Sequence, residues 1–268
     1  MNRSTWVSRW FLGLTFAVWM MPARAELTDD QQQAIKDLRH SSEARRIKAL
    51  VTLRNASDEI ETVATAICRC ALQFPGATRK EAFLALDSVS PRLSPILRDL
   101  LTLPMAQRNY PGAPYAERAR QTYHALLALG SEGKPALVVY EPGLSRRPID
   151  RDAWEAFMSL APTHPAVLKA LRRLAASKQG PDQLELSSRL HDVAKADPHV
   201  PKQFLSAIGA MLVSKNPAIF CEGFHWVKLL GRDALPLRPT MEKLTTAPDP
   251  VVRDLARAAL AGLDGPGF

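Results

Sequence analysis

Four times in this chain an apolar phrase runs into a turn and restarts at a proline. The copies read EAFLALDSVSP (Glu81 to Pro91), HALLALGSEGKP (His124 to Pro135), EAFMSLAPTHP (Glu155 to Pro165) and HWVKLLGRDALP (His225 to Pro236). Recurrence every few tens of residues leaves few architectures open. A unit this short cannot bury its apolar face alone, so successive units must stack and share one core. Composition points to helical units: the chain is 46% hydrophobic and 23% charged, and aromatics make up only 7%, which suits helices better than a β-sandwich.

The last copy is the sharpest. An apolar-periodic helix through Leu235, Leu237, Met241 and Leu244 leads to a turn at Ala247-Pro248-Asp249, followed by a helix carrying Val252, Leu255, Ala256, Ala259, Leu260 and Leu263. Pro248 stops the first helix, Asp249 can cap the second, and Pro250 suits its first turn. The same logic predicts second helices over Glu43 to Arg54, Thr78 to Asp87, Tyr115 to Leu129, Arg151 to Leu160, Asp182 to Lys195 and Ala218 to Leu230. About seven units result, with corresponding leucines about 35 residues apart. Ankyrin and tetratricopeptide phrases are absent, and a compact bundle would not restart with the same L-G-x-x-x-x-P wording.

The stretch Asp249-Pro250-Val251-Val252-Arg253-Asp254-Leu255-Ala256-Arg257-Ala258-Ala259-Leu260 resembles the second helix of a HEAT repeat, including the bilin-lyase variety, with its D-P-x-V-R start and A-x-x-A-L face. The resemblance implies an all-α, right-handed α-solenoid of about seven helical hairpins whose second helices line a concave surface. It also implies that Arg253 is structural, bonding into its own repeat. The motif is specific only in the last unit; in the first, Arg45 and Arg46 stand displaced from the family arginine.

Ahead of the repeats, Arg3 and Arg9 precede a short apolar run from Trp10 to Met21, and Ala23-Arg24-Ala25 forms an A-x-A cleavage pattern. We expect residues 1–25 to be a cleavable signal peptide and residues 26–268 a single repeat domain, exported to a periplasm or secreted. The run is too short for a transmembrane helix, and no later segment approaches the required length. Formal net charge is +8; residues 1–25 hold three arginines and no acid, leaving +5 for the rest. With acids and bases interleaved along the helices, that excess reads as solvated faces, and no nucleic-acid partner is expected.

Connections within neighbouring units fall on one edge of a stacked array, and two consecutive ones are long: 104–114 and 141–148. Arg108, Tyr110, Tyr115, Tyr140, Arg146 and Arg147 would give this ridge the side chains favoured at binding hot spots. Cys68 and Cys70 point to different faces of one helix, and Cys221 lies several units away, so no intramolecular disulfide is expected and all three read as buried apolar cysteines. Glu222-x-x-His225 is half of a carboxylate metal site without its second half, and Pro198 separates His191 from His199. His124 and His225 read as helix-face or packing residues. No H-E-x-x-H, C-x-x-C, G-x-S-x-G, Walker or G-x-G-x-x-G phrase occurs, so neither catalysis, metal nor cofactor is expected. The expected function is a non-catalytic scaffold for a protein or peptide; the alternative is a binder of an envelope polyanion, either polysaccharide or lipid head group.

Overall fold

The computed structural model describes residues 26–103 and 116–264. Among them the chain is all helical, without strands. Helices α1 (Asp29–Asp37) and α2 (Glu43–Leu53) pack as a pair, as do α3 (Ile60–Gln73) with α4 (Ala77–Val89) and α5 (Leu93–Thr102) with α6 (Ala116–Ala128). A 3-10 run, Gly130–Val139, continues into the short α7 (Glu141–Leu144), which packs on α8 (Arg151–Leu160). Next come α9 (Pro165–Ala175) with α10 (Gly180–Ala196), then a 3-10 run Val200–Phe204 and α11 (Leu205–Leu212) with α12 (Pro217–Leu230). A third run, Gly231–Leu237, leads into α13 (Arg238–Leu244), which packs on α14 (Pro250–Asp264).

Local chemistry explains these boundaries. Asp150, Asn216 and Asp249 each accept a backbone N–H from the first turn of the helix they precede, at 3.0, 3.0 and 2.8 Å, satisfying donors that a helix start leaves open. Pro165, Pro217 and Pro250 open α9, α12 and α14, where a missing N–H costs nothing. In the L-G-x-x-x-x-P phrase, Gly130 and Gly231 take φ of 56° and 51°, a left-handed geometry that glycine adopts readily. Each ends an α-helix and opens a 3-10 run containing the proline. The continuous helix expected through Leu235, Leu237, Met241 and Leu244 is therefore split, because Pro236 lacks the donor an α-helix needs there. Likewise, part of the expected 141–148 loop is the helical turn α7.

The core is built from the inward faces of these pairs, with Trp154, Phe157 and Trp226 among its largest fully buried side chains. Helices α11 and α12 approach so closely at Gly223 that an added Cβ would lie 2.8 Å from the Leu212 backbone nitrogen. Contact between units is not strictly sequential. Helix α3 packs directly on the run Gly130–Val139, across the α5–α6 hairpin that lies between them in sequence, and Arg69 pairs with Glu141 at 2.7 Å.

The first and last pairs share one arginine geometry. Arg253 Nη1 donates to the carbonyls of Ala247 and Pro248 at 2.9 and 2.8 Å. Arg46 Nη1 donates to His40 and Ser41, both at 2.7 Å. Both arginines occupy the fourth helical position and reach back to the turn before it. Arg46 is thus in register with Arg253, correcting the displacement expected for it.

Candidate binding surface

Of the six residues expected on a loop ridge, Arg108, Tyr110 and Tyr115 lie outside the described residues. Tyr140 is 3% exposed, its ring edge set against Tyr123 at 6.1 Å; it belongs to the core and offers nothing to a partner. Arg146 remains 71% exposed, 3.5 Å from Asp150, and its carbonyl accepts a bond from Arg173 at 2.9 Å. Arg147 lies 3.4 Å from the nearly buried Asp182. These contacts fasten the turn after α7 onto α8, α9 and the start of α10, and Arg146 and Arg147 both remain open to solvent.

Beside that turn, α8 and α10 bound an open cleft of about 670 Å³. Helix α8 contributes Arg151, Trp154, Glu155 and Met158, which recur at spacings of three and four and so share one helix face. Helix α10 contributes Arg189, Asp192 and Lys195 by the same periodicity. Trp154 is buried with its Nε1 donating to Asp192 at 2.9 Å, which ties the two helices together and fixes the indole. The Arg189 guanidinium lies over that indole at 4.9 Å. Around the rim, Arg151 bonds Glu155 at 2.7 Å and Lys195 approaches Asp192 at 3.6 Å. Two further cavities, of about 730 and 390 Å³, share Glu61 and Thr65 along α3.

Next to the cleft, a polar network joins α10 to α12. Trp226 Nε1 donates to Ser187 Oγ at 2.8 Å, and the Ser187 hydroxyl donates in turn to Glu222. His191 stacks on Trp226 at 4.2 Å and sits 3.8 Å from Glu222 and 5.0 Å from the His225 ring. Burial lowers the His191 pKa from its ordinary value, helped by His225 and opposed by Glu222 and Asp192. Glu222 therefore has partners that its own helix could not reveal. Ser187 is buried, its hydroxyl held between Trp226 Nε1 and Glu222.

Among the described residues, no group of three His, Cys, Asp or Glu side chains is placed to hold a metal ion, and no helix is long and apolar enough to cross a membrane. Cys68 and Cys70 are buried thiols and Cys221 is exposed, correcting the expectation that all three are buried. Burial pushes the Cys70 thiol up to about 11 against the pull of Arg46, and raises Cys68 further.

The sequence reading missed the α8–α10 cleft. Its available signal was Trp154 on the same helix face as Arg151 and Met158, in a chain with only one other tryptophan beyond residue 25.

No family model and no curated protein matches this chain. Crystal structures of engineered proteins are similar at low level. One is 16% identical with a TM-score of 0.33, covering 89% of this chain and 69% of its own. A second is 15% identical with a TM-score of 0.30, covering 88% and 97%. Superpositions this loose carry no functional information.

Proposed function

We propose that the protein is an exported, non-catalytic scaffold of stacked HEAT-like hairpins forming a right-handed α-solenoid, which binds a protein or peptide segment on the face carried by α8, α10 and α12. The observation that carries this reading is the α8–α10 cleft. It is lined by successive second helices, anchored by a hydrogen-bonded Trp154, and large enough for several side chains of a partner. Support for stacked units comes from the paired helices and from Arg46 and Arg253 in equivalent register. The A-x-A pattern before Glu26 supports export, with the periplasm as the working compartment. The polyanion alternative draws on exposed Arg146 and Arg151, yet each has a carboxylate beside it, which weakens a surface meant for dense negative charge.

The test is affinity capture from envelope extract with the protein and with a Met158→Asp variant, at two salt concentrations. A protein retained at both salts, lost with the variant and rebound in purified form supports the reading. Retention of glycan or lipid alone, lost at high salt, replaces it with polyanion binding.

A further inference from the structure

Arg189 is less tightly paired than Arg54, Arg92, Arg98 and Arg118. Arg98 and Arg118 each hold a carboxylate at 2.6 Å, Arg92 one at 3.0 Å, and Arg54 is directly bonded to Glu81. Among the described residues Arg189 has only the Glu185 carboxylate, at 3.5 Å, and that same Glu185 oxygen already accepts the Ile149 backbone N–H at 3.0 Å. Its Nε is buried without a hydrogen-bond partner, and its side chain is 19% exposed. A guanidinium carries five donors in a fixed fork, so this one retains most of its hydrogen-bonding capacity while held over Trp154 at 4.9 Å. Six residues on, nearly two helical turns along α10, Lys195 is 79% exposed. Its neighbour Asp192 is already engaged by Trp154. The cleft therefore has two under-used cations beside the partly exposed Met158, with Trp154 buried beneath them.

We infer that the α8–α10 cleft takes an acidic peptide, seating one Asp or Glu carboxylate between Arg189 and Lys195 and an adjoining apolar side chain against Met158. This rests on the scaffold reading and names the chemistry of its ligand. A carboxylate supplies the acceptor pair that a guanidinium fork fits. The acids Glu155 and Asp192 at the rim set the limit on charge: a single carboxylate can pass between them, whereas a polysaccharide or lipid surface with closely spaced anions would meet both.

The probe is a set of acetylated, amidated peptides with a leucine-rich background and Glu, Gln or Lys at the central position, with binding followed by peptide-borne fluorescence anisotropy. The set is measured on the protein and on Arg189→Gln, Arg189→Lys and Met158→Asp, each checked for unchanged helicity. Glu peptides are expected to bind roughly tenfold tighter than their Gln counterparts, a preference that Arg189→Gln abolishes and Arg189→Lys partly keeps. Equal binding of Glu and Gln peptides, still lost with Met158→Asp, overturns the carboxylate site while leaving the scaffold reading standing. No binding by any peptide, with dextran sulfate bound instead, overturns both.

Discussion

Replacing Arg46 by methionine tests whether the shared arginine register is a fastening device. The change keeps the apolar stem of a residue that is 8% exposed and removes its fork. Lost are two charge-assisted bonds to the His40 and Ser41 carbonyls, a longer one at 3.3 Å to the fully buried Thr78 hydroxyl, and a guanidinium 4.0 Å over the Phe74 ring. Bonds to charged groups contribute about 1.5–3 kcal/mol each. Water can replace part of the carbonyl bonding at this partly open turn, but not the donor to Thr78. The net loss is about 3 kcal/mol, which for a chain of this length lowers Tm by about 6–12 °C. Arg253→Met gives up the same kind of carbonyl bonds in the last helix pair, without the Thr and Phe contacts. It should lose about 1 kcal/mol, or about 2–4 °C. Thermal melts followed by far-ultraviolet circular dichroism compare the two. Equal losses, or a shift for Arg46→Met within about 2 °C, would refute the argument that reach into the next unit gives this position its weight.

Gly223→Ala gains helix propensity of about 1 kcal/mol but drives a methyl into the Leu212 backbone; a net loss of about 1–3 kcal/mol should appear in denaturant melts, and a stabilised variant would count against the close approach. A maleimide reagent should label one thiol per native chain, at Cys221, and three after unfolding; Cys68 and Cys70 are raised enough to stay protonated at mildly alkaline pH. Stability should fall on acidification. The folded state resists protonation of His191 and His164, both lowered chiefly by burial, whereas the unfolded chain takes up protons near pH 6.5. Their contribution is therefore full above about pH 6.5 and is lost as pH falls through that value toward the lower folded pKa values. A flat Tm between about pH 7.5 and 5 would refute it. In a Trp154→Phe variant of the chain from Glu26, Trp226 should be quenched as its stacked partner His191 is protonated, with a midpoint below the ordinary histidine value.

Helix placement was readable because proline and glycine act on the backbone locally. Pro165, Pro217 and Pro250 can only open helices at these points, and the seven expected second helices agree with the observed ones to within about two residues at each described end. Side-chain environment was less readable, since it depends on partners far away in sequence. Tyr140 lies beside a loop in sequence but packs on Tyr123, which only the fold of the 3-10 run brings near. Cys221 sits on an apolar-rich helix, yet its face of α12 remains uncovered. Arg46 looked misplaced when aligned by apolar spacing and falls into register when counted from the helix start. The cleft joins Trp154 to Asp192 across a separation of 38 residues, beyond the reach of any local pattern.

The direct packing of α3 on the run Gly130–Val139 changes how this molecule can come apart. In a chain whose units touch only their immediate neighbours, melting one interior unit cuts the array in two. Here a bridge spans the gap, reinforced by Arg69 and Glu141, so fraying of the α5–α6 hairpin can leave both flanks joined. That hairpin packs on α4 at one side and on the run Gly130–Val139 and α8 at the other, so it supplies one of two routes of contact, and opening it leaves the second in place.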